Sequence, residues 1–182
     1  MRKLILINGL IASGKNTIGK ELSKKYATIG IKTDFFDLDQ EVTRLNPKDY
    51  WENDGDRLTT WLNARKNYAI KINQSQKDTI VMAGPFFTKE EIIRHIQYLD
   101  NGIEVFLFTL DTPLEIRLER NKHRRPSNNP QDIINQEKVF QSLKSSLYGQ
   151  IVNNTFDIDT VLSKIMSLIE DNQGVIKKEE FE

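Results

Sequence analysis

The feature that most limits what this chain can become is Gly9-Leu10-Ile11-Ala12-Ser13-Gly14-Lys15-Asn16-Thr17. An apolar run, Leu4 to Ile7, precedes it. Apolar residues at helical spacing, Ile18, Leu22 and Tyr26, follow it. Strand, glycine-bracketed loop, lysine and helix make the layout of a phosphate-binding P-loop. Glycine lets the backbone curl so that successive N–H groups point at an anion. The helix start adds unpaired N–H groups and the positive end of its dipole. Lys15 supplies a point charge for the β- and γ-phosphates. Gly9, Ala12, Ser13, Gly14, Lys15, Asn16 and Thr17 are therefore the expected nucleotide cradle. One position departs from the motif. Asn16 stands where a Ser or Thr hydroxyl normally meets magnesium, and its side-chain carbonyl is a weaker hard-oxygen ligand, acting directly or through water. The competing reading, a glycine turn that merely precedes a lysine, is opposed by the strand before it and the helix after it.

The length of 182 residues suits a single domain, expected over 1–173, with a charged and frayed tail over 174–182. Lys plus Arg number 26 and Asp plus Glu 26, so no global basic field favours nucleic acid or an anionic membrane. Cysteine is absent, which removes disulfides and thiolate metal sites and fits a cytoplasmic location. Met1-Arg2-Lys3 and the apolar run after it look like the start of a signal peptide. The run ends at Asn8-Gly9 and continues into the loop, so it reads as a buried first strand. No apolar stretch is long enough to span a bilayer. The oligomeric state is open.

Along the chain, strands are expected at 31–36, 79–83, 104–110 and 155–158. Helices are expected at about 57–74, after a Thr88/Glu91 capping box, after Pro113, at about 133–152 and at 161–171. Strands alternating with helices predict an α/β fold: a P-loop NTPase three-layer sandwich with a mostly parallel five-stranded sheet, helices on both faces, and a lid. The working crevice then lies at the carboxyl ends of the strands. That brings the Gly9 loop, Asp37, Asp39 and Gly84 to one edge.

Phosphoryl transfer needs phosphates held, charge neutralised and an acceptor hydroxyl positioned. Asp37 is the candidate for ordering Mg2+ together with Asn16. Asp39 is the candidate for the acceptor hydroxyl. A helix-capping Asp beside a solvated one is the plainer reading of this pair. Arg117, Arg120, Arg124 and Arg125, with Lys122 and His123, form a basic cluster ahead of a polar, Pro-containing stretch. The cluster suits a lid over about 123–134 that closes on a triphosphate, with an arginine stabilising charge on the transferring group. His95, within a helix, reads as structural. Phe86 and Phe87 read as core or as substrate pocket.

These residues resemble the small-metabolite P-loop kinases, the group of shikimate kinase and gluconate kinase, from Leu4 to about Ile169. Phe36-Asp37-Leu38-Asp39-Gln40-Glu41 is similar to the shikimate kinase segment F-x-D-x-D-Q-E. The resemblance implies that its first Asp helps hold magnesium and its second contacts substrate hydroxyls. Leu118-Glu119-Arg120 and Arg125-Pro126 resemble that family's adenine-side and lid arginines, at shorter spacing. Asp54-Gly55-Asp56-Arg57 with Trp61-Leu62 is similar to the gluconate kinase pattern D-D-D-R-x-P-W-L, which implies substrate binding by Arg57. Two motifs depart. The Gly-Gly-Gly of shikimate kinase is Ala83-Gly84-Pro85 here, and the arginine of its R-x-P-L-Y falls on Lys144, which lacks the bidentate fork that grips a carboxylate. The resemblance thus implies fold, ATP with Mg2+ and reaction type, with Lys15, Asp39 and Arg125 catalytic, and Asp39, Arg57, Gly84 and Lys144 toward the substrate. It does not imply shikimate. Three functions stay open: an ATP-dependent kinase of a small hydroxylated metabolite, a nucleoside or nucleotide kinase, and a nucleotide-binding protein without turnover.

Overall fold

The structure, a computed structural model, describes residues 1–46, 54–124 and 127–181. Strand β1 (Arg2–Gly9) lies at the centre of a sheet ordered β2-β3-β1-β4-β5. Its neighbours β3 (Thr79–Ala83) and β4 (Ile103–Asp111) run parallel to it, as β2 (Thr33–Asp37) does to β3 and β5 (Gln150–Asn153) to β4. Leu4, Ile5, Leu6 and Ile7 are all fully buried. A continuous apolar run marks a strand covered on both faces. The pleat sends alternate residues to opposite sides. Leu4 and Leu6 join a core with α2 (Leu38–Leu45), α3 (Asp54–Gln74) and α4 (Lys89–Ile96). Ile5 and Ile7 join a second core with α1 (Lys15–Thr28) and α7 (Ile158–Glu170). This is the three-layer α/β sandwich that the alternation of elements predicts.

The remaining helices, α5 (Leu114–Lys122) and α6 (Pro130–Leu143), pack on each other. Arg117 of α5, fully buried, pairs with Glu137 of α6 and donates to the Thr112 carbonyl at 3.1 Å. Gln136 reaches from α6 to the P-loop, accepting from the Ile11 N–H at 3.2 Å. Helix α6 starts earlier than expected, with Pro130 in its first turn and Ile133 fully buried, so residues 130–134 of the expected lid are helical.

Three further expectations are corrected. The fifth strand is Gln150–Asn153, not 155–158. Thr155 instead turns the chain, donating to Asn153 Oδ1, and Asp157 caps α7 through the Thr160 N–H at 3.0 Å. The helix expected to reach 152 ends at Leu143, and a short 3-10 turn leads to Gly149 at φ +74°. A Cβ at Gly149 would collide with the Leu107 carbonyl. The tail is also not simply frayed: β6 (Val175–Ile176) pairs antiparallel with Val105 and Phe106, and Ile176 is buried. Strand β4 is thus edged by β5 along its carboxyl half and by β6 lower down, with the Leu107 N–H bonded to the Gly174 carbonyl at 2.8 Å.

Candidate active site

The P-loop sits between β1 and α1, at the carboxyl end of the sheet. Gly14 at φ +93° and Ala12 at φ +60° supply the left-handed turns that face N–H groups inward. A Cβ at Gly9 would strike the Ser13 hydroxyl, which would have to turn away. One carbonyl anchors the loop. Ser13 O accepts from Asn154 Nδ2 at 2.6 Å, Arg120 Nη1 at 2.9 Å and Thr112 Oγ1 at 3.1 Å. Three donors from segments around β4, β5 and α5 fix one peptide of the loop. Asn8, fully buried, does similar work one residue before the loop. Its amide donates to Thr109 Oγ1 and the Phe86 carbonyl, and its oxygen accepts from the Gly9 and Phe86 N–H groups.

The two aspartates take different positions. Asp37, buried at the end of β2, caps α2 through the Asp39 and Gln40 N–H groups at 3.1 and 3.4 Å. Its other oxygen accepts from Asn16 Nδ2 at 2.6 Å. Burial, and then the nearby charge of Asp39, push the Asp37 carboxyl above its ordinary value. Asp39, on the first turn of α2, is half-exposed and pairs with Lys15 Nζ at 3.5 Å. The capping reading is therefore right for Asp37, and it leaves Asp39 aimed at the P-loop lysine. Asn16 Oδ1 is buried beside Asp37 without a hydrogen-bond partner. An orphaned amide oxygen next to a carboxylate is a donor set that suits Mg2+, which takes one or two protein oxygens plus phosphates and waters.

Two cavities meet at this point. A crevice of about 320 Å³ is lined by 12–17 of the P-loop with Asp39, Arg120 and Arg124. A larger cavity of about 870 Å³ lies between α3, α6 and the loop after β3. Lys15, Asp39 and Arg124 line both.

The other expected residues fall as follows. Arg120 lines the crevice and also braces Ser13. Arg125 lies outside the described residues, and so does the side chain of Arg57, whose backbone is in the first turn of α3. Gly84 is buried and does not line the cavity, and a Cβ there would sit tightly against Leu38 and Phe86. Lys144 is not brought to the cavity. Its ammonium is paired with Asp111 at 2.7 Å, closing the turn after α6 onto the end of β4. His95 is structural, fully buried against Phe86, with burial holding its pKa down to about 3.

The residue that sequence reading missed is Arg65. It is only 3 % exposed yet lines the larger cavity. Nη2 donates to the Pro85 carbonyl at 3.0 Å, and the guanidinium lies over Trp61 and Phe86 at 5.7 and 5.3 Å from the ring centroids. Nη1 has no hydrogen-bond partner. Burial lowers its pKa to about 10, so it stays charged at neutral pH. Its signal was visible: an arginine among the apolar positions of α3, at Ala64 and Tyr68 spacing. A charge on a buried helix face asks for a partner.

The sheet, the loop and the helices on both faces define a P-loop NTPase fold of the kinase type. The family model described as AAA domain matches residues 4–148, and the chain belongs to that family. No curated protein sequence matches it. Among solved structures it is similar to shikimate kinase from Aquifex aeolicus, at 19% identity and TM-score 0.64 over 93% of this chain and 97% of that one. It is also similar to the tunicamycin resistance protein of Deinococcus radiodurans (15%, TM-score 0.66, 97% and 99%). A gluconokinase from Sinorhizobium meliloti aligns at 16% and TM-score 0.58 over 94% and 99%. These likenesses establish the fold. No helix among the described residues is long and apolar enough to cross a membrane.

Proposed function

We propose that the protein is an ATP-dependent phosphotransferase acting on a hydroxyl of a small molecule. The observation that carries this reading is that Lys15 and Asp39, 3.5 Å apart, line both cavities. A phosphate held by the loop and a hydroxyl held in the larger cavity meet between them. The N–H groups of the loop and Lys15 hold the triphosphate. Asn16 Oδ1 and Asp37 would hold Mg2+, which supplies charge neutralisation to the phosphates. Asp39 orients the acceptor hydroxyl and accepts its proton. Bound phosphate draws Lys15 off Asp39, which frees the carboxylate for that task. Arg120 and Arg124 flank the crevice where charge develops on the transferring group. Arg125 belongs to the same basic segment and is proposed as the lid arginine, with the lid reduced to about 123–129. Arg65 takes the anionic end of an acidic acceptor, and Arg57 is kept as a substrate-binding residue on the resemblance to gluconate kinase.

One observation favours a second reading. The Asn16 amide occupies the Asp37 oxygen at 2.6 Å, where a metal would need it. A protein in which that bond persists binds nucleotide and does not turn it over. ATP consumption, followed with magnesium over sugar acids, shikimate, nucleosides and nucleoside monophosphates, tests both. Acceptor-dependent ADP release is the expected result. MgATP binding with no acceptor-dependent release from any class leaves the binding protein.

A further inference from the structure

Several polar side chains that line the larger cavity each make one contact within the protein. Gln136 accepts from Ile11, Asn135 from Gln131, and Asn128 is tied to Asn121. Glu91 accepts from the Phe87 and Thr88 N–H groups, and the Thr43 hydroxyl donates to the Asp39 carbonyl. Apolar side chains form the rest of the wall. Leu58, Trp61 and Leu62 come from α3, and Val139 and Phe140 from α6, with Phe87 beside them. Leu58 is 52 % and Val139 59 % exposed, large apolar side chains left open on this cavity. The partnerless nitrogen belongs to the buried, charged Arg65, and Arg94 adds a second positive group to the lining.

We infer that the acceptor is an amphipathic hydroxy acid: an alcohol on an apolar, ring-sized body that ends in a carboxylate or similar anion. The hydroxyl part rests on the kinase reading above; the apolar body and the anion rest on the wall and on Arg65. An apolar body covers Leu58, Val139 and Trp61 and removes their surface from water. An anion at the Arg65 end then meets a buried guanidinium charge, in a dry setting where such a pair is strong.

The test uses four monoanionic alcohols as probes: a hydroxymethyl naphthoate, para-(hydroxymethyl)benzoate, shikimate and D-gluconate. Binding is measured by calorimetry with magnesium and a non-hydrolysable ATP analogue, for wild type, Leu58→Gln and Val139→Gln. Both replaced side chains are largely exposed, so the fold tolerates them. Affinity for the ATP analogue on the same samples reports that the P-loop is intact. Affinity is expected to rise from the two polyol acids to the benzoate to the naphthoate, by about tenfold for every two carbons buried. Either glutamine should narrow that gap severalfold. Gluconate or shikimate binding as tightly as the naphthoate overturns the inference, and so does a gap that neither variant changes. Phosphorus NMR on mixtures with ATP separates the two claims. Transfer to the polyol acids alone keeps the kinase and ends this substrate class. The expected binding order without transfer to any probe keeps the class and ends the kinase.

Discussion

The two ends of the active cleft are built in opposite ways. The nucleotide end is made of backbone, and polar side chains hold it from behind. Asn154, Arg120 and Thr112 converge on one carbonyl, and Asn8 ties the loop to β4 and to the turn after β3. The acceptor end is made of side chains from α3 and α6, mostly apolar, around a buried cation. Backbone N–H groups recognise any triphosphate, so that end needs only to be rigid. Side chains can be exchanged one at a time, so on the phosphotransferase reading proposed above the other end would carry the choice of substrate. The difference teaches where this fold stores generality and where it stores specificity.

The largest effect should come where the two ends meet. Asp39→Asn should lower turnover on the order of 10²–10⁴-fold while leaving MgATP affinity nearly unchanged. Steady-state rates with the true acceptor, beside calorimetry with ATP, would separate the two; full activity in the variant would remove Asp39 from the mechanism. Next comes Arg65→Met, which keeps the apolar packing and removes the charge. An anionic acceptor should bind about 10–100-fold more weakly, as expected for a lost hydrogen bond to a charged group, with ATP binding unaffected. Equal loss for ATP and acceptor would mean that the two ends are not independent. Asn154→Ala should act on the other end alone, weakening MgATP by up to about tenfold for one hydrogen bond to the Ser13 carbonyl. An unchanged ATP affinity would show that Thr112 and Arg120 hold the loop without it.

A separate effect, on stability in acid, comes from groups that pack beneath the cavity. Burial keeps His95 neutral, with a pKa of about 3, so its contribution is present above the ordinary value of 6.5 and lost as pH falls through about 3. Glu41 is held down to about 2, first by its hydrogen bond from Arg44. Its share is present above 4.5 and lost as pH falls toward 2. Asp37 runs the other way, since its raised pKa makes protonation in the folded state easier. Denaturant melts between pH 7 and pH 3 should show stability declining first below about pH 6.5. A His95→Leu variant should lack that first decline, and a wild-type curve that is flat to pH 5 would contradict the account.

The polar end was legible in the sequence, and the apolar end was not. The P-loop is contiguous, and Asp37 and Asp39 lie two residues apart at the end of a strand, so spacing alone brought them together. Arg65, Phe87 and Val139 come from separate elements, and only the packing of α3 against α6 and the turn after β3 makes them one wall. Lys144 misled because its motif position matched while its neighbourhood did not: Asp111 takes its charge. The short strand Gln150–Asn153 was passed over because only Val152 in it is buried, which leaves no alternation to read. Asn154, the residue after that strand, shares the same silence. An asparagine in a loop looks like a turn former, and its grip on Ser13 depends on a separation of 141 residues.

The edge of β4 has a consequence for how the chain is made. The strand is closed by two pieces, and the second, Val175–Ile176, leaves the ribosome more than sixty positions after β4 is complete. Until then the lower half of β4 presents unpaired backbone groups beside Val105 and Phe106, a template for pairing with other chains. A messenger cut short before codon 175, or a protease that trims the last residues, would leave that template open for the life of the molecule. Such products should accumulate as aggregates and not as soluble protein.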